Sequence, residues 1–174
     1  GVLNWTEQIN DHTYDPDVDY DWTKKGSTYD ITITKAYARF AINVDEDFNK
    51  YFTEKDQYGE DYWIGFAYNT SGGHVIVDDH LAVSDDVKTV QYTKGEMPAN
   101  NEFGLKLNCL SNLTQDKTVA LIVKDSHGNL VEFSKERTAS FEDVFYAYFN
   151  DEVIAGLNAE ERAVYEKLLT MLGK

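Results

Sequence analysis

The chain has 174 residues and a net charge of −15, from 16 Lys plus Arg against 31 Asp plus Glu. That length supports one domain with a hydrophobic core, or two small ones, and an apolar content of 42% excludes wholesale disorder. The acidity excludes a phosphate-reading nucleic-acid surface and docking on anionic lipid, because both need a basic footprint.

The counts narrow the class further. One cysteine, Cys109, rules out an intrachain disulfide framework and a cysteine zinc cluster. It ends the alternating row Phe103, Leu105, Leu107, Cys109, where a small buried hydrophobe is expected rather than a reactive thiol. No apolar run approaches the length of a transmembrane segment. The chain opens on Gly1 rather than Met, which we read as a removed leader or a trimmed start. An extracellular or cell-surface bacterial protein is expected from either, with a cytoplasmic protein as the alternative. Asn-x-Ser/Thr triplets begin at Asn4, Asn69 and Asn112, and chance accounts for them in a chain this rich in Asn, Ser and Thr.

In chain order, residues 1–28 read as an acidic N-terminal arm with aromatic anchors, and residues 29–174 as a single β-rich domain. Residues 29–44 read as extended, but the apolar parity changes between Tyr29, Ile31, Ile33 and Ala36, Ala38, Phe40. A period-two strand cannot change parity without a bulge or break, which is expected near Thr34–Ala36. Asp45, Glu46 and Asp47 then offer an acidic helix start, with Phe48, Tyr51 and Phe52 at helical spacing.

A polar turn around Gly59 precedes a strand at residues 62–68, for which residues 74–77 are the expected hairpin partner. Residues 87–93 and 103–110 read as further strands. The clearest hairpin joins residues 118–124 to 130–134 through Asp125-Ser126-His127-Gly128-Asn129. Two helices close the chain, at about 140–156 behind Ser140 and about 158–172 behind Asn158 and Glu161. Many strands followed by helices predict an α+β fold, mainly antiparallel β. It is expected as a sandwich or a single curved sheet, with a short helix after the first strands and a C-terminal helix pair packed on the sheet.

Three constellations could carry chemistry. Asp15, Asp17, Asp19 and Asp21 repeat every second residue, so an extended chain points them the same way. Calcium would relieve their repulsion and is the one cofactor the run invites. An EF-hand is excluded, because the sixth and twelfth positions from Asp15 hold Tyr20 and Gly26. A solvated acidic arm is the competing reading.

The second constellation, His74 and His80 with Asp78, Asp79, Asp85 and Asp86, has no metal-ligand spacing and reads as exposed loop. The third is Trp63, followed on its strand face by Gly65 and Ala67. With Asp61 and Asn69 as hydrogen-bonding neighbours, the indole could be a platform for a sugar ring or a partner's side chain. The competing reading is that the small residues let the C-terminal helices pack close.

Catalytic signatures are missing: no nucleophile elbow, phosphate loop, dinucleotide fingerprint or His-Glu-x-x-His occurs. The leading expectation is a non-catalytic binding or structural module contacting a glycan or protein partner. The alternatives are an intracellular acidic inhibitor or immunity-type protein covering a basic partner, and a carboxylate-based hydrolase.

Overall fold

β-branched and aromatic runs in the sequence become strands, and the acidic starts become capped helices. The computed structural model describes residues 4–5 and 16–174. Its strands are β1 (Asn4–Trp5), β2 (Asp17–Lys25), β3 (Thr28–Asn43), β4 (Trp63–Asn69), β5 (Ile76–Val77), β6 (His80–Leu81), β7 (Val87–Gln91), β8 (Glu102–Asn108), β9 (Lys117–Lys124), β10 (Leu130–Phe133) and β11 (Arg137–Ala139). A 3₁₀ turn, Glu46–Asn49, leads into α1 (Lys50–Thr53), and the chain closes with α2 (Phe141–Tyr148), α3 (Asp151–Ala155) and α4 (Ala159–Met171). The fold is α+β with antiparallel ladders, as the order of elements requires.

Two larger sheets form. One runs β1-β3-β2, with β8 also on β3; the other runs β10-β9-β4-β7, with β11 also on β9. The described residues divide into two compact units: residues 4–5, 40–105 and 116–138 make the first, and residues 16–39, 106–115 and 139–174 the second.

In the first unit, β4 is central between β7 and β9. Its Ile64 and Phe66 are buried, and so are Val119 to Val123 of β9. A strand paired on both edges and covered on both faces reads as a continuous apolar run, which is how β9 reads. Residues 74–77 do not pair with β4. Instead β5 and β6 form a small hairpin around Asp78 and Asp79, both at positive φ, 51° and 63°. Aspartate tolerates that left-handed backbone better than most residues do.

In the second unit, residues 17–25 form β2, paired to β3 along its whole length. The apolar parity change in β3 is a bulge: Asp19 faces Lys35 and Tyr20 faces Ile33, so Thr34 is the extra residue. Burial follows suit, with Ile31 and Ile33 buried before it and Ala36 and Ala38 after it.

The segment expected as one helix at 140–156 is two. Phe149 leaves helical geometry at φ −81°, ψ 73°, and Asn150 caps α3 by accepting from the Val153 amide. Ser140 with Asp143, and Asn158 with Glu161, form reciprocal capping boxes. Cys109 is fully buried, its Sγ 3.4 Å from the Leu107 carbonyl.

Candidate functional site

A concavity of the first unit is built by aromatic residues from four places in the sequence. Asp45 caps the 3₁₀ turn by accepting from the Asp47 amide at 3.1 Å. The following turns put Phe48 inward and Tyr51 and Phe52 half-buried beside it. Phe48 meets Tyr51 edge-on at 5.0 Å and Phe103 at 5.3 Å. Tyr92, just past β7, meets Phe103 at 5.0 Å and Phe52 at 5.9 Å. Tyr62, just before β4, stands edge-on to Tyr51 at 5.0 Å and 83°. Each contact has the edge-to-face arrangement that aromatic quadrupoles favour.

This network leaves an open groove of about 410 Å³, lined by Tyr51, Phe52, Tyr62 and Tyr92, with Ile64 at its buried base. Asp61, Gln91, Thr93 and Gly95 are exposed along it. The volume falls within the range of small-ligand sites, which pair apolar walls with a few polar groups.

Three tethers hold the walls. Burial, then a hydrogen bond to the Glu132 carboxylate, keeps the Tyr51 phenol far above its usual range and therefore neutral. The Tyr92 hydroxyl donates to the Glu96 carbonyl at 2.6 Å, and burial raises its pKa as well. Asp61 is ion-paired with Lys55 at 2.6 Å, both exposed. The Lys50 ammonium lies 5.2 Å from the Tyr51 ring centroid.

The three residues singled out around the third constellation are not brought together. Asp61 lines the groove. Trp63 lies flat along its own strand: a Cβ built on Gly65 would come within 2.7 Å of the indole, and the Lys124 ammonium caps the ring at 4.2 Å. The small residues therefore make room for the indole itself. The rest of that face, Ala67 with Ala120 and Ile122, is covered by Val75, Ile76, Leu81, Val87, Leu130 and Phe133. Asn69 is buried, and its side chain is engaged locally. It accepts from the Ser71 amide at 2.9 Å and hydroxyl at 2.8 Å, and donates to the His74 carbonyl at 3.3 Å.

Of the aspartate run, Asp15 lies outside the described residues. Asp17 is ion-paired with Lys106 at 2.7 Å, and Asp19 faces Lys35 across the ladder. The repulsion thus finds lysines in the chain itself. Among the described residues no group of three or more His, Cys, Asp or Glu side chains is placed to hold a metal ion. His74 and His80 are both exposed, and His74 contacts Glu136 at 2.7 Å. The chain matches no protein-family model, no curated protein and no solved structure.

The groove was not anticipated from the sequence. Tyr51 and Phe52 read as one face of a short helix and Tyr62 as the start of a strand. Only the abundance of tyrosine, 12 residues, hints at a surface built from amphipathic rings.

Proposed function

We propose that the protein is a non-catalytic binding module of a secreted or surface-attached bacterial protein, and that the tyrosine-lined groove holds a glycan. The observation that carries this reading is one wall set of four aromatic rings with polar side chains along the rim. Sugar rings offer apolar C–H faces to aromatic rings and hydroxyls to carboxylates and amides, so Tyr62 and Tyr92 supply stacking and Asp61, Gln91 and Thr93 the hydrogen bonds. Asp61 is the single carboxylate among the lining residues, which supports binding over two-carboxylate hydrolysis in this groove.

The test is titration with a panel of neutral and acidic oligosaccharides, followed by calorimetry. A neutral member is expected to bind with little dependence on salt, and Tyr62→Ala and Tyr92→Ala are each expected to weaken it at least about tenfold, or about 1.4 kcal/mol. Absence of binding across the panel, or unchanged affinity in both variants, overturns the reading. Salt-sensitive capture of a basic protein would instead favour the inhibitor alternative.

A further inference from the structure

The two larger sheets treat their open edges differently. β7 ends its sheet, paired only with β4 among the described residues. Two bonds fix the phase of that ladder: the Tyr92 amide donates to the Ile64 carbonyl at 2.8 Å and the Thr70 amide to the Asp86 carbonyl at 3.2 Å. Gly65–Gln91, Ala67–Thr89 and Asn69–Val87 are therefore the pairs that exchange no main-chain bonds. Residues in such pairs turn both backbone groups away from the partner strand. The outer edge of β7 accordingly presents the carbonyls of Val87, Thr89 and Gln91 and the amides of Thr89 and Gln91. The Val87 amide is taken by the Ser84 carbonyl at 3.2 Å. Residues 88–91 are exposed.

Natural edge strands are guarded by charge, proline or brevity. β2, at the edge of the other sheet, follows that rule with Asp17, Asp19, Asp21, Lys24 and Lys25. β7 reads Val-Lys-Thr-Val-Gln, β-branched at three of five positions, with no proline. Its one charge, Lys88, is drawn back onto the Asp85 carbonyl at 3.1 Å. The edge is long enough to pair and is left unguarded.

We propose that β7 is an interaction edge that takes an extended, basic segment of a partner protein as an added strand. The backbone groups supply strand pairing, and alternate side chains of the segment supply selectivity. Charge settles the occupant. A second copy would bring its own −15 to the contact, whereas a lysine-bearing segment is drawn in by the acidic chain, with Asp85 and Asp86 at the head of the strand. Gln91 serves both this edge and the glycan groove, so Thr89, which does not line the groove, is the residue that tells the two readings apart.

The probe is an alternating valine–lysine peptide of about nine residues, a typical strand length, with a valine–glutamate peptide beside it. Amide exchange is followed by NMR on the isotopically labelled full chain. The lysine peptide is expected to slow exchange at Thr89 and Gln91 by about tenfold or more, and the glutamate peptide to leave them unchanged. Thr89→Pro removes only an outward donor, a substitution edge strands tolerate, and should abolish the effect with the melting temperature kept. Thr89→Ala should preserve it. No protection at Thr89 and Gln91 in the unmodified chain, or equal protection by both peptides, overturns the proposal. So does self-association that protects the same amides without peptide, which would assign the edge to a second copy.

Discussion

Asp56 shows how one side chain can organise a loop. It is 7% exposed, and its carboxylate accepts from the amides of Tyr58 and Glu60 at 2.9 Å and of Ser126 at 2.7 Å. Asp125 does the same for its own turn, accepting from His127 at 2.9 Å and Asn129 at 3.0 Å. Both loops read Asp-x-x-Gly-x, with Gly59 and Gly128 in the left-handed region, and Tyr58 stacks on His127 at 3.5 Å. Burial opposes the charge on Asp56, yet the converging donors outweigh it and hold its pKa well below the ordinary 3.8. Asp125 is lowered against burial by bonds from Asn129 and His127.

A folded pKa below the unfolded one means stability that is full above the unfolded value and is lost as pH falls through the folded one. The melting temperature should therefore fall as pH drops below about 4, and less steeply in Asp56→Asn. A parallel fall in the variant would remove Asp56 as the cause. Gly65 is a second residue with one purpose. A Cβ there would strike the Val90 carbonyl oxygen and the Trp63 ring. Gly65→Ala should destabilise by about 1–3 kcal/mol in denaturant titration, with a shift in tryptophan emission.

At the scale of elements, the strands were legible wherever apolar parity was strong. β4, β9 and β10 came from alternation or β-branched runs, and the bulge at Thr34 from the parity change alone. The break between α2 and α3 was hidden, because Phe141, Val144, Phe145, Tyr148 and Phe149 keep helical spacing right up to it. The signal was Asn150, whose side chain competes for backbone donors and starts a new helix. Ser140→Ala removes the α2 cap bond to Asp143, 3.1 Å long, and should cost about 1 kcal/mol by denaturant midpoint.

The aspartate repeat was legible as an extended run, but not its partner strand. With Lys106 and Lys35 opposite Asp17 and Asp19, the run guards an edge. Millimolar calcium should leave the melting temperature unchanged, and a rise reversed by chelator would restore the metal reading.

For the whole molecule, the order of strands and helices reached the fold class and stopped short of the site. Two acidic stretches, residues 1–30 and 45–62, each hold seven acids and two lysines. The second contains Tyr51, Phe52, Asp61 and Tyr62 of the groove lining, whereas Gln91, Tyr92 and Thr93 come from outside it. Which residues meet there could not be read. Tyr51, Tyr62 and Tyr92 lie far apart in sequence, and their meeting depends on the β4–β7 register and on how α1 is seated. Trp63 drew attention for its small neighbours, yet an indole lying along its own strand needs small neighbours for the same reason a platform would.

The central claim is that the groove between Tyr62 and Tyr92 is where the ligand sits. NMR shift mapping with the oligosaccharide that binds tests it most directly. Aromatic and amide shifts are expected to concentrate on Tyr51, Phe52, Asp61, Tyr62, Gln91 and Tyr92, and to shrink at the same ligand concentration in Tyr62→Ala. Shifts centred on Trp63 and Lys124, or on residues of the second unit, would contradict it.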